Sequence, residues 1–188
     1  MSLRSAELRD ADVLTEVWVD VLRRADRAEQ AGDLRAIIQR VQSLSDERIV
    51  VAEYDGQVAG AVHLRATTIS PLNLEPVVQA ISPHVLPQFR RHGVGRALME
   101  AAVAFAEEHG IAHLGAAAVA GSRDANRFMA RLSLTPFATL RLAPTQVVKA
   151  KLTAAGPVTG RANGSARRLT KVVAARRSMR RERTPTAG

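Results

Sequence analysis

A short basic, glycine-rich segment carries the clearest chemistry in this sequence. It reads Arg-Arg-His-Gly-Val-Gly-Arg-Ala over residues 90–97, after an apolar run ending Val85-Leu86-Pro87 and before an amphipathic stretch. The first N–H groups of a helix have no partner within the helix, and the helix dipole adds about half a positive charge there. Glycine lets an anion approach the backbone closely, and arginine adds fixed charge. The segment is therefore typical of a turn that binds pyrophosphate.

Two common phosphate-binding motifs are excluded by the residues of this turn. A dinucleotide-binding turn requires Gly or Ala three residues after Gly95, where this chain has Leu98. A P-loop requires Gly-Lys followed by Ser or Thr, and the sequence contains no such triplet. The pattern that remains is R-x-x-G-x-G, with its fixed positions at Arg90, Gly93 and Gly95.

This pattern, together with the apolar run before it, resembles the coenzyme A signature of the GNAT superfamily, the acyl-CoA-dependent N-acyltransferases. The resemblance covers residues 2 to about 142 and includes a strand hairpin at 49–64 and a second conserved block at 122–134. It implies an enzyme that transfers an acetyl group from acetyl-CoA, as co-substrate, to a primary amine. Two positions depart from the family pattern, because Met129 replaces a common tyrosine and Ser133 replaces a glycine.

The resemblance also implies roles for individual residues. Backbone amides of 91–96 would bind the diphosphate, and the N–H of Val85 would polarise the thioester carbonyl. Ser122 or Asn126 would reach the pantetheine arm or the sulfur. The full predicted set for acetyl-CoA is Val85, Leu86, Arg90, Arg91, His92, Gly93, Val94, Gly95, Arg96, Ala97, Ser122 and Asn126.

The sequence leaves the general base open among several residues. His84 precedes Val85 on the predicted strand, and an imidazole with an ordinary pKa of about 6.5 suits a base that acts directly or through water. Glu75, Glu53 and His63 are the alternatives. The resemblance would place glutamates early in this strand, where the chain reads Gln-Ala at 79–80.

The acid that would protonate the leaving thiolate is missing from its usual place. Met129 offers no phenol, so the thiolate leaves unassisted or takes a proton from water. The chain has no cysteine and no G-x-S-x-G motif. We therefore expect direct attack within a ternary complex, with no covalent enzyme intermediate. The alternative is a non-catalytic acyl-CoA-binding module that has lost this chemistry.

Composition excludes several other classes of protein. The absence of cysteine excludes disulfides and thiolate metal sites. Gly110 separates His109 from His113, and no H-E-x-x-H motif occurs, so we expect no metal site. The sequence contains no run of eighteen apolar residues, which a transmembrane helix would need, and its first residues do not have a signal-peptide pattern. We therefore expect a cytoplasmic protein.

The elements that must position these residues alternate between helix and strand. The patterns predict helices at 13–22, 33–43, 94–108 and 124–132, strands at 2–9, 48–54, 58–64, 77–86, 111–119 and 137–142, a tight turn at Asp55-Gly56 and a loop at 69–76. Pro83 predicts an irregularity within its strand. This order indicates an α+β fold, with a GNAT-like central mixed sheet flanked by helices on both faces.

The basic charge of the chain is concentrated at one end. Residues 145–188 contain 11 Lys or Arg and one acid, a net charge of +10, whereas residues 1–144 have a net charge of −1. We therefore expect a catalytic domain at 1–144 and a basic, disordered tail at 145–188. The stretch 157–188 suits RNA, the ribosome or an anionic surface, and also suits a solvated tail. A monomer and a homodimer are both compatible with the sequence.

Overall fold

A computed structural model describes residues 1–117 and 123–154 of the chain. Its five strands form one sheet in sequence order: β1 (Ser2–Ser5), β2 (Glu47–Tyr54), β3 (Gln57–Ser70), β4 (Asn73–Val85) and β5 (Leu114–Ala117). Neighbouring strands are antiparallel except β4 and β5, which are parallel. Five helices accompany them: α1 (Ala11–Val17), α2 (Arg27–Gln42), α3 (Val94–Glu108), α4 (Arg123–Arg131) and α5 (Thr145–Ala154). The predicted α+β fold with a mixed sheet is confirmed.

The β2–β3 hairpin forms where the sequence predicted it. Asp55 and Gly56 have φ angles of 49° and 77°, both in the left-handed region. A two-residue turn of this kind matches the twist of the flanking strands. The hairpin places alternate residues of β2 and β3 on opposite faces of the sheet, and each face is covered by helices.

One face of the sheet packs against α1 and α2. Its core contains Leu14, Val17 and Trp18 from the first helical segment, Leu34, Ile38 and Val41 from α2, and Ile49, Val51 and Ala61 from the strands. The other face packs against α3, through Leu98, Ala102 and Phe105, onto Val62, Leu64, Val78 and Ala80. Phe128 of α4 packs against this second core. The sheet is therefore buried on both faces around the predicted site.

The β3–β4 hairpin is longer than the sequence predicted. Residues 69–76 were expected to be a loop because they contain two prolines and an asparagine. Instead, β3 continues to Ser70, β4 begins at Asn73, and only two residues form the turn. Thr68 lies opposite Pro76 in the ladder. The loop prediction is wrong, and the strand that carries His84 and Val85 therefore starts much earlier.

Helix boundaries near the N-terminus also differ from the prediction. The helix α1 ends at Val17, and residues 18–22 form turns in which Val21 N–H and Leu22 N–H donate to Trp18 O. The helix α2 begins after Asp26, whose carboxylate accepts from Glu29 N–H at 2.8 Å. The helix therefore starts six residues before the predicted start at residue 33, and it contains the exposed Gly32.

The chain divides into two compact units, residues 1–136 and 137–188. In the second unit, the predicted strand at 137–142 is not formed, and the side chains of Phe137, Leu140 and Leu142 are exposed. The helix α5 follows it. Within the described ranges, no helix has the length and apolar content needed to cross a bilayer. The basic stretch at 157–188 lies outside the described residues.

Candidate active site

The strand β4 is irregular close to the predicted site. The register between β3 and β4 shifts between Ala61 and His63, opposite the segment from Ile81 to His84. Ser82, within that segment, has a φ of 49° although it is not glycine. A bulge of this kind bends the strand and redirects the residues that follow it. The irregularity predicted from Pro83 is therefore present, and His84 and Val85 lie just beyond it.

The backbone amide of Val85 points away from β3. Leu86 N–H donates to Ala59 O on β3 at 2.9 Å. Since successive amides of a strand point to opposite sides, Val85 N–H is directed toward the β5 side of β4. The described pairing of β4 with β5 runs as far as Ile81 and Ala117. Val85 N–H thus has the direction that the predicted carbonyl-polarising role requires.

The turn at 90–93 leads directly into α3. Arg91 and Gly93 have φ angles of 65° and 81°, and Gly93 is the N-cap of the helix. Ala97 N–H makes the first bond of the helix, to Gly93 O at 3.0 Å. The amides at 94–96 therefore have no carbonyl to bond within α3, which leaves them for an anion at the helix N-terminus.

The end of β4 lies close to the start of α3. A methyl group placed on Gly95 would lie 3.6 Å from Val85 Cγ2 and 3.8 Å from Phe128 Cζ. The structure therefore brings Val85, the start of α3 and the middle of α4 together. The N–H groups of Leu86 and Ala97 are hydrogen-bonded to Ala59 O and Gly93 O. These two residues of the predicted acetyl-CoA site therefore have no free backbone donor for the ligand.

The charged side chains of the turn have different environments. Arg90 and Arg91 are exposed, and within the described residues neither forms an ion pair. Arg96 Nε donates to Glu100 Oε1 at 2.7 Å, so its charge is partly compensated. His92 is held by the loop, with Nδ1 2.8 Å from Arg90 O and its ring centroid 5.0 Å from that of Tyr54. Arg90 and Arg91 are therefore the arginines with uncompensated charge here.

His84 is half-buried on the α1–α2 face of the sheet, since it lies opposite the buried Ala61 in the ladder. Partial burial, followed by the positive charge of Arg90, lowers the pKa of His84 below its ordinary value. Asp20, in the segment after α1, opposes this shift. The imidazole is thus neutral at pH 7 and able to accept a proton.

The other three residues considered as a base form ion pairs or hydrogen bonds with neighbouring side chains. Glu75 is at the opposite end of β4 from Val85, about 33 Å away at the usual rise per strand residue, and pairs with His113 at 3.4 Å. Glu53 accepts a bond from Arg4 Nε at 2.7 Å. His63 Nε2 lies 2.9 Å from Glu47 Oε2. Glu75 therefore lies far from Val85, and the side chains of Glu53 and His63 are engaged by Arg4 and Glu47.

The second block of the predicted site lies on α4. Asn126 is exposed on this helix, and Met129 is half-buried. Ser133 follows the helix with a φ of 61°, a left-handed conformation that favours glycine. Ser122 lies outside the described residues. Among the described residues, no cluster of His, Asp or Glu could hold a metal ion.

Sequence reasoning missed two residues that shape the end of β4. Trp18 Nε1 donates to Ser82 O at 2.9 Å, and a methyl group on Gly60 would lie 2.4 Å from His84 O. Neither belongs to a local motif, because each acts across a contact between distant segments. The only available signal was composition, since Trp18 is the single tryptophan of the chain.

Comparisons with known proteins agree with this architecture. The chain is 29% identical over 110 residues to an uncharacterized N-acetyltransferase of Archaeoglobus fulgidus, covering 57% of this chain and 75% of that one. Its fold is similar to that of glucosamine-6-phosphate N-acetyltransferase from Arabidopsis thaliana, with a TM-score of 0.61, 14% identity, and coverage of 77% of this chain and 94% of that one. The same four values describe its similarity to the aminoglycoside N-acetyltransferase AAC(6')-Iy, solved in complex with CoA.

The fold is that of the acetyltransferases to which the chain is similar. The model of the acetyltransferase (GNAT) family matches residues 13–133, which is more than half of the chain. The chain belongs to this family.

Proposed function

We propose that this protein transfers the acetyl group of acetyl-CoA to a primary amine by direct attack within a ternary complex. The observation that supports this most strongly is the meeting of three features at one end of β4. These are the half-buried His84, the outward amide of Val85, and the N-terminus of α3 beside the turn at 90–93. Thioester transfer needs a base, a carbonyl donor and a phosphate anchor, and these features supply one of each.

The turn and the start of α3 would hold the diphosphate of the co-substrate. As the first N–H groups of α3, the amides at 94–96 point outward along the helix axis. Arg90 and Arg91 add charge that no described residue compensates. An anion bound by a helix N-terminus and fixed charges is restrained in position as well as neutralised. The thioester end can then be oriented against Val85, whose side chain lies close to Gly95 at the start of α3.

His84 would take a proton from the acceptor ammonium, directly or through one water. The free amine then attacks the thioester carbon, whose oxygen Val85 N–H stabilises as negative charge develops. The new C–N bond forms as the C–S bond breaks, the attacking nitrogen gives up its second proton to water, and water returns a proton to the departing thiolate. Because Met129 cannot donate that proton, we expect Met129→Ala to lower turnover only modestly, through packing.

Ligand binding and thiol release provide the test. Titration calorimetry with acetyl-CoA on the full chain should show binding, and Arg91→Gln should weaken it several-fold by removing one charge at the diphosphate. Arg35→Gln serves as the matched control, because Arg35 is an exposed arginine on α2 that pairs with Asp12. An amine panel should then release free CoA from the wild-type protein. No binding at millimolar acetyl-CoA would refute the proposal.

A non-catalytic acyl-CoA-binding module is the second candidate, favoured by Met129 at the position of the usual phenol and by the basic segment at 145–188. In this alternative the basic segment contacts RNA. The same experiments separate the two functions. Binding of acetyl-CoA with no release of free CoA in the presence of any amine would favour the module. Amine-dependent release of free CoA would favour the enzyme.

A further inference from the structure

The only tryptophan of the chain bridges α1 and the irregular part of β4. Trp18 caps the C-terminus of α1, is 6% exposed, and donates from Nε1 to Ser82 O at 2.9 Å. Ser82 is the residue of β4 with the left-handed φ of 49°. A residue in this conformation persists only when its surroundings hold it there. The indole is one such contact, made to the carbonyl two residues before His84.

A second contact shapes the same segment from the opposite direction. Gly60 on β3 lies opposite Val85, and a methyl group on Gly60 would lie 2.4 Å from His84 O and 3.2 Å from Val85 Cα. Neither distance can be accommodated without moving backbone. The absence of a side chain at Gly60 therefore lets β3 approach β4 closely at the position where the site residues begin.

We infer that Trp18 is a positioning residue, which acts through the Ser82 carbonyl to place the His84 imidazole and the Val85 amide for transfer. Gly60 supports the same placement from β3. The inference rests on the proposed acetyl transfer. Asp20, two residues after Trp18, also acts on His84 through its charge.

The indole N–H distinguishes this role from simple packing. A buried indole N–H needs a hydrogen-bond acceptor, and many carbonyls of a core could supply one. Here the acceptor belongs to the bulge, where an extra residue interrupts the ladder between strands. Phenylalanine would fill most of the same volume but would leave the Ser82 carbonyl without this donor. The N–H is thus the part of the side chain to test.

The experiment compares Trp18→Phe with the wild-type protein and with a control variant that also loses part of a buried aromatic side chain. Phe105→Leu is the control, because Phe105 is fully buried in the core on the other face of the sheet. For each protein, kcat and KM for acetyl transfer are measured, and the Kd of CoA is measured by calorimetry. Circular dichroism confirms that each variant is folded at the assay temperature.

Trp18→Phe should lower kcat about ten-fold or more, since small displacements of reacting groups carry large rate penalties. The Kd of CoA should stay within about two-fold, because the turn at 90–97 is untouched. Phe105→Leu should leave kcat within about two-fold of wild type while the protein remains folded. Gly60→Ala, which displaces His84 and Val85 from the other side, should reproduce the loss in kcat.

Four outcomes would overturn the inference. A folded Trp18→Phe with wild-type kcat would show that the N–H positions nothing. A loss in kcat no larger than that of Phe105→Leu, or a matching loss in CoA affinity, would show a general structural role. Failure of the wild-type protein to transfer acetyl groups to any amine would instead refute the proposed function, and the inference with it.

Discussion

At the scale of single residues, the proposed chemistry depends most on the protonation state of His84. Burial, and then the charge of Arg90, lower its pKa, while Asp20 raises it. The neutral base form therefore persists to a pH below about 6.5, the ordinary histidine value. We expect kcat/KM to fall on acidification with an apparent pKa under that value. Asp20→Asn should move this limb to lower pH, because it removes the charge that favours the imidazolium.

Replacement of the imidazole tests the same assignment directly. His84→Gln should lower kcat about 100-fold or more and abolish the acidic limb of the pH–rate profile. His113→Gln is the matched control, because His113 is an exposed histidine just before β5 that pairs with Glu75, far from Val85. An unchanged pH profile in His84→Gln would remove His84 from the mechanism and return the base to water.

Ser133 gives a prediction about stability rather than catalysis. Its φ of 61° places a side chain in a conformation that costs about 1–2 kcal/mol for residues other than glycine. Ser133→Gly should raise the free energy of unfolding by about 0.5–1 kcal/mol, after the greater freedom of glycine in the unfolded chain is subtracted. Ser43→Gly, at a right-handed helix cap, should not stabilise. Urea unfolding of both variants decides the matter, and equal effects would contradict the strain argument.

At the scale of elements, Glu47 joins α2, β2 and β3. Its buried carboxylate accepts from Arg40 at 3.0 Å and lies 2.9 Å from His63 Nε2. Burial raises the pKa of Glu47, but the bond from His63 and the nearby charges lower it more, so the net pKa lies below its ordinary value. A lowered carboxyl pKa contributes stability above the unfolded value, and that contribution is lost as the pH falls through the folded value.

Glu47→Gln should therefore lower the free energy of unfolding by about 1.5–3 kcal/mol at pH 7, because it removes the charged acceptor that His63 and the exposed Arg40 bind. The deficit should shrink as the pH falls below about 4.5, where the carboxylate of the unfolded chain gains its proton, and should disappear as the pH falls through the lower folded value. Glu16→Gln, an exposed acid that pairs with Arg27, should cost less than about 1 kcal/mol at both pH values. A deficit that does not change with pH would contradict the assignment of charge to Glu47.

The strands show why part of the fold could be predicted and part could not. The Asp55-Gly56 turn was predictable because its geometry depends on two adjacent residues. The β3–β4 extension was not predictable, because Pro71 and Pro76 indicate a loop when only the local sequence is considered. Before the bulge, Val78 N–H points away from β3, to His113 O, and Pro76 two residues earlier has the same orientation. Beyond the bulge, Leu86 N–H points to β3, so the nitrogen of Pro83, three residues earlier, faces away from β3. Neither proline removes a bond between β3 and β4.

The same limit applies to the site. Contiguous residues at 84–97 were predictable because one turn and one helix start place them together. Trp18 and Gly60 were not, because their effect on β4 depends on contacts across 64 and 24 positions of sequence. The expected strand at 137–142 failed for a related reason, since alternating apolar residues indicate how a strand would face but not whether a partner strand is present.

At the scale of the whole molecule, the excess positive charge and the proposed active site lie in different parts of the sequence. Residues 1–144 are nearly neutral, with a net charge of −1, and residues 145–188 have a net charge of +10. The site residues that the structure brings together lie within residues 1–136, in the first compact unit. Removal of the basic stretch should therefore leave acetyl transfer unchanged while altering any association that depends on charge.

We expect the full chain to retain RNA in a salt-sensitive manner and deletion of 157–188 to abolish that retention. Each Lys or Arg that neutralises a phosphate of single-stranded RNA contributes about −0.7 to the slope of log K against log salt. Filter binding with a homopolymer RNA between 50 and 200 mM salt measures this slope at about three or four concentrations. Replacing Arg176, Arg177, Arg180 and Arg181 with Gln should reduce the slope in the full chain, without the loss of length that deletion brings. Equal RNA retention by the truncated protein would show that the basic stretch is only a solvated tail, and retention insensitive to salt would exclude a phosphate-based contact.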